Sequence, residues 1–208
     1  MQSSLFKYIE FFILFIAVPV SFVLTYPFWL KMTVGAVGFL YIIYVLLQIE
    51  KMKFKIAQGL HWKAFWKQTL LKFLLISILT TIYVWLFDSE NLYTIVLNKP
   101  LLWIVIVFVY SIFSVYPQEL MYRTFYFQRY ESLFPFKTLL IFVNAMVFCL
   151  AHLFFRNALV LVLTFLGGLL FGLTYCKTKS TLLVTIEHAI YGSWLFTVGM
   201  GSMLGFPS

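Results

Sequence analysis

Apolar runs of roughly 18 to 25 residues recur about seven times along this chain, each long enough as a helix to cross about 30 Å of hydrocarbon. Lipid offers no hydrogen bonds, so every backbone N–H and C=O in such a run must pair within its own segment, which makes the runs helices. Of the 208 residues, 63% are hydrophobic and 11% charged, with mean hydropathy +0.98. No water-soluble domain of this size needs so much apolar surface. The fold class expected is all-α, a polytopic transmembrane helix bundle in a single membrane domain over residues 1–208.

The spans are expected at 5–26, Met32 to Gln48, Thr69 to Phe87, Leu101 to Glu131, Thr138 to Phe154, Ala158 to Tyr175 and Leu182 to Met203. The fourth would be near 45 Å long at about 1.5 Å per residue, too long for one straight crossing. Pro117, which removes a backbone donor, is the natural break, and a break there would make eight spans. Between the second and third spans, Leu60-His-Trp-Lys-Ala-Phe-Trp-Lys67 alternates aromatic and cationic residues, the composition of an interfacial helix in the headgroup layer. His61 belongs to that piece and is expected at the surface. In the sixth span, Gly168 and Gly172 have the small-xxx-small spacing that admits a close neighbour.

A net charge of +8 could point to nucleic acid, but the basic residues are scattered between apolar runs and build no single face. They read as topology signals. Lys51, Lys53, Lys55, Lys63 and Lys67 crowd one loop, Arg129 and Lys137 another, Lys177 and Lys179 a third, so these loops and the N-terminus are expected on the cytoplasmic side. The first run lacks a small-residue cleavage site and is read as a retained span. Cys149 and Cys176 lie in apolar segments and are expected as buried thiols.

Within the fourth run, Ser114-Val-Tyr-Pro-Gln-Glu-Leu-Met-Tyr-Arg123 places Glu119 and Arg123 at hydrocarbon depth. An ionisable residue there is expensive and is by default a functional hypothesis. A spacing of four puts the two on one α-helical face, where an arginine fork can hold a carboxylate ionised. His152 in the fifth run and His188 in the seventh add imidazoles. If the fourth and fifth spans turn near Phe134-Pro135, Glu119 and His152 stand roughly 23 to 26 Å along their helices from that turn, at similar depth. Supporting candidates are Gln118, Asn144, Asn157, Glu187 and Tyr191. Glu187 points about 100° away from His188 on a helix, and pairs with a cation on another span or orients a neighbour.

Taken singly, these residues have plainer readings: Glu119 with Arg123 as a structural salt bridge, His152 as a core histidine bonded to a backbone carbonyl. Taken together, they can hydrolyse. A carboxylate held by arginine takes a proton from water, one histidine positions that water, and a second histidine or an amide stabilises the oxyanion. Two other classes stay open, a zinc hydrolase with Glu119, His152 and His188 as ligands, and a non-catalytic membrane scaffold or immunity protein.

Gln118-Glu-Leu-Met-Tyr-Arg123, Phe148-x-x-x-His152 and His188 in the last span resemble, in order and spacing, the three motifs of the CPBP (Abi) membrane proteins, which include CAAX-processing endopeptidases and glutamic-type intramembrane proteases. The resemblance covers about residues 100 to 200. It implies a glutamate-activated water assisted by histidines, no obligatory metal or other cofactor, a membrane-associated peptide or protein as substrate, and residence in a bacterial cytoplasmic membrane. Residues 100–203 would then form the core that carries the chemistry and residues 1–95 peripheral helices. Two positions depart from the family pattern. Gln118 stands where the first of two adjacent glutamates is usual, and Gly192 where an Asn or Asp usually follows the last histidine by four residues. Asn144 or Asn157 is the candidate to supply that amide.

Overall fold

The computed structural model describes residues 3–52 and 59–205, and all regular structure among them is helical. Seven long helices carry the chain: α1 (Ser4–Ser21), α2 (Phe28–Ile49), α3 (Trp62–Phe87), α4 (Pro100–Leu133), α5 (Lys137–Leu150), α6 (Ala158–Thr178) and α7 (Thr181–Val198). The first four, α5 with its extension to Phe155, and α6 are long and apolar enough to cross a membrane. The seventh expected span, α7, has 18 residues but falls outside that set, because Glu187 and His188 lower its hydropathy. Lys53 and Lys55, counted above as topology signals, lie outside the described residues.

Two expectations are corrected. The interfacial helix at 60–67 is not a separate element; Trp62 to Lys67 form the first turns of α3, whose 26 residues reach about 39 Å and so extend past the hydrocarbon on their own. Nor does Pro117 break α4. The turn before it, Tyr110–Val115, is wound as a π-helix in which the Tyr116 N–H donates to Ser111 O, one residue further back than in an α-helix. Pro19 in α1 is preceded in the same way by Ile13–Ala17, with the Val18 N–H donating to Ile13 O. Widening a helix by one residue is an alternative to breaking it where proline removes a donor and crowds the preceding turn.

The chain divides into two compact units, one of residues 1–56 and 120–179, the other of 57–119 and 180–208.

In the first unit, α5 and α6 pack closely. A Cβ on Gly168 would stand 2.8 Å from Ala145 Cα, and one on Gly172 3.2 Å from Ile141 Cγ2, so the small residues let the two backbones approach as their spacing suggested. Asn157 caps α6 by accepting from the N–H groups of Leu159 and Val160 at 2.9 and 3.2 Å. Arg129 is corrected from a loop cation to a core residue. Only 2% exposed, it donates through Nε to Glu10 Oε2 at 2.7 Å and through Nη1 to Glu50 Oε1 at 2.9 Å. Tyr41 and Tyr130 donate to the same Glu10 carboxylate, which satisfies an acid 5% exposed inside α1. A buried charge requires such partners.

In the second unit, α7 is tied to α3 by Trp194 Nε1 donating to Thr80 Oγ1, and to the start of α4 by Trp103 Nε1 donating to Thr197 Oγ1, both at 2.9 Å. Gly199 ends α7 at φ +108°, and a Cβ there would lie 2.2 Å from Asn91 O. Only glycine meets both demands.

Candidate functional site

In the second unit, Glu119 closes the single α-helical turn Tyr116–Glu119 that follows the π turn Tyr110–Val115. The carboxylate is fully buried, and its Oε1 lies 2.7 Å from His188 Nδ1 on α7. An ionised carboxylate only accepts, so Nδ1 carries the proton and donates. On the other edge of the ring, Nε2 lies 3.2 Å from the Tyr110 hydroxyl. In the neutral imidazole that nitrogen accepts, and Tyr110 donates to it. Hydroxyl, imidazole and carboxylate therefore form one buried chain. The Tyr110 ring is held edge-on to Phe196 at 4.8 Å, within an apolar cluster that includes Ile95, Ile106 and Val115.

Glu187, next to His188, faces elsewhere, as helical geometry requires. Its Oε1 pairs with Lys72 Nζ on α3 and accepts from the Tyr191 hydroxyl at 2.9 Å, while the same hydroxyl lies 3.1 Å from Thr69 O. This is the cation on another span that the sequence allowed for, and Tyr191 is the neighbour that Glu187 orients. Gln118 turns back along its own helix, Nε2 donating to Ser114 Oγ at 2.8 Å, and its Oε1 is buried with no hydrogen-bond partner among the described residues.

The remaining candidates belong to the first unit. Arg123 is fully buried, with its guanidinium over the rings of Phe148 at 4.7 Å and Phe171 at 5.6 Å, and Nη1 donating to Tyr122 O at 3.3 Å. Cation–π stacking of this kind lowers the cost of burying an arginine. The stretch Leu120–Phe125 that carries it is a π-helix. Asn144, fully buried on α5, donates through Nδ2 to the Tyr122 carbonyl of that π turn at 2.6 Å. His152 lies in the turn after α5, where Nδ1 donates to Phe148 O at 2.8 Å. The carbonyl can only accept, which fixes the tautomer and leaves the Nε2 lone pair on the other edge of the ring. Asn157 has its side-chain oxygen committed to the α6 cap.

Among the described residues there is no group of three or more His, Cys, Asp or Glu side chains that could hold a metal ion. Two residues of consequence were passed over in the sequence. Lys72 is a lone cation inside an apolar run and could have been noticed by the rule that singled out Glu119. Tyr110 carries no such signal, since a tyrosine in an apolar helix is ordinary packing.

Residues 100–205 match the model of a known family, Rce1-like, described as type II CAAX prenyl endopeptidase Rce1-like. That stretch includes Gln118, Glu119, Arg123, His152 and His188 and leaves α1 to α3 outside. No curated protein and no solved structure matches the chain.

Proposed function

We propose that this chain, which belongs to the Rce1-like family of type II CAAX prenyl endopeptidases and is at that level a membrane protease, hydrolyses a peptide bond of a membrane-associated or lipid-anchored substrate through a water activated by Glu119. The observation that supports this reading best is the Glu119–His188 pair, a fully buried carboxylate 2.7 Å from an imidazole. A proton taken from water can be held by the pair and then passed to the leaving amine as the carbon–nitrogen bond breaks. His152 is proposed to position water or the oxyanion and Arg123 to favour the ionised glutamate, assignments that rest on the order and spacing of the motifs. Gln118, an amide, has no part as a base. Its turn toward Ser114 fits a bystander beside a working Glu119.

The test uses purified protein in lipid vesicles and a fluorescence-quenched peptide whose farnesylated cysteine is the fourth residue from its C-terminus. The wild type is expected to cleave it, and Glu119→Gln, which keeps an acceptor for His188, to lose activity by about 10²- to 10⁴-fold, the usual weight of general base catalysis. Full activity in Glu119→Gln removes Glu119 from the reaction. A wild type without cleavage, whose cellular role survives Glu119→Gln, favours the non-catalytic scaffold.

A further inference from the structure

Gly192 follows His188 by one helical turn, at the position where the family pattern carries Asn or Asp. A Cβ built on Gly192 would lie 2.0 Å from the Tyr110 hydroxyl oxygen, 2.5 Å from its Cζ and 2.6 Å from its Cε1. These are distances that a Cβ does not adopt to non-bonded atoms, so the tip of Tyr110 occupies the volume in which any side chain at 192 would have to begin. The same hydroxyl lies 3.2 Å from His188 Nε2. Tyr110 is itself buried, and its ring is fixed edge-on against Phe196.

We propose that Tyr110 is the positioning residue for His188, its hydroxyl seated in the notch left by Gly192 and acting in place of the side chain that other family members carry there. With Glu119 on Nδ1 and Tyr110 on Nε2, the imidazole is gripped at both edges. One tautomer is selected, and ring rotation would break both bonds. The missing amide is thereby replaced from α4, by a residue outside all three motifs, and Asn144 and Asn157 are committed elsewhere, to a carbonyl and a helix cap. Gly192 and Tyr110 are one feature: a larger residue at 192 excludes the tyrosine, and a smaller one at 110 leaves the histidine without its hold on Nε2. The inference rests on the reading of Glu119 and His188 as the reacting pair, and its test has a readout that does not depend on cleavage.

Tyr110→Phe keeps the ring and removes only the hydroxyl. In protein labelled with ¹⁵N at its three histidines, with His188 assigned by its loss in His188→Ala, Tyr110→Phe is expected to shift the His188 Nε2 resonance and leave those of His61 and His152 in place. An unchanged His188 spectrum overturns the proposal, whether or not the wild type cleaves the farnesylated probe. On that probe, Tyr110→Phe is expected to lower kcat several-fold to about tenfold with KM unchanged, the scale of one hydrogen bond between neutral groups. A shifted spectrum with unchanged kcat also overturns the positioning role. Gly192→Asn alone is expected to be inactive through overlap, and Tyr110→Ala/Gly192→Asn to recover activity over Tyr110→Ala. A double variant no better than Tyr110→Ala counts against the replacement of one side chain by the other. Should the wild type fail to cleave, the reading of Glu119 as base falls, and the His188 spectrum still decides whether Tyr110 holds the ring.

Discussion

His188 donates from Nδ1 to a Glu119 carboxylate that has no exposure to solvent. Glu119 ends one short α-helical turn, flanked on either side by a π turn, at Tyr110–Val115 and Leu120–Phe125. A π turn advances the chain by an extra residue per turn and so re-aims the side chains beyond it, which is why such turns gather at functional sites. Here the first of them also accommodates Pro117. The proline beside Glu119 thus shapes the helix without cutting it.

The pair predicts that the two ways of removing Glu119 differ. Glu119→Gln retains an acceptor for the imidazole N–H and is expected to unfold within a few degrees of the wild type, while Glu119→Leu strands a buried donor at a cost of about 1 to 3 kcal/mol. Thermal unfolding in detergent, followed by tryptophan fluorescence, separates them. Equal midpoints would mean that the hydrogen bond contributes nothing to the fold.

Lys72 and Glu187 predict a different pattern. Removing one partner of a buried ion pair leaves a charge in a low dielectric, at a cost of about 3 to 5 kcal/mol, whereas replacing both with apolar residues is often neutral. Lys72→Met is therefore expected to destabilise strongly and Lys72→Met/Glu187→Met to recover most of the loss, read as the order of unfolding midpoints. A double variant worse than the single would give the pair a role beyond mutual neutralisation.

Much of this was legible in the sequence, and what was not has a physical cause. Length and hydropathy place six membrane-crossing helices within about four residues of their observed ends, save the C-terminal end of α1 and the N-terminal end of α3, because the hydrocarbon imposes a length that a run of apolar residues must meet. Glu119 and His188 stood out because a charge or an imidazole in such a run is costly. The same rule applied to Glu10 and Lys72 would have found the ion pairs that hold two buried carboxylates, Glu10 and Glu187. Arg129 was hidden for a subtler reason: at the end of an apolar run, near a turn, an arginine that marks topology and one that anchors a core have the same local sequence, and only its partner on α1 tells them apart. The π turns leave no trace, since a change of period over five or six residues cannot be separated from ordinary apolar packing. Gly192 stood out only as a missing Asn or Asp, and nothing in the sequence around it points to Tyr110.

Arg129 makes the strongest stability prediction. It neutralises Glu10 and Glu50 together, and its Nε and Nη2 both reach the Glu10 carboxylate, at 2.7 and 3.2 Å. Arg129→Met would leave two carboxylates near each other with no cation between them, whereas Glu10→Gln keeps acceptor and donor atoms in place and leaves Glu50 still paired. The arginine variant is expected to lose at least the roughly 3 to 5 kcal/mol of a broken buried pair, and the glutamine variant clearly less. Lysine is not expected to substitute, because one ammonium cannot present the planar fork that serves two carboxylates at once. Thermal midpoints of Arg129→Met, Arg129→Lys and Glu10→Gln should fall in that order, methionine lowest. An Arg129→Lys protein as stable as the wild type would show that the charge matters and the fork does not.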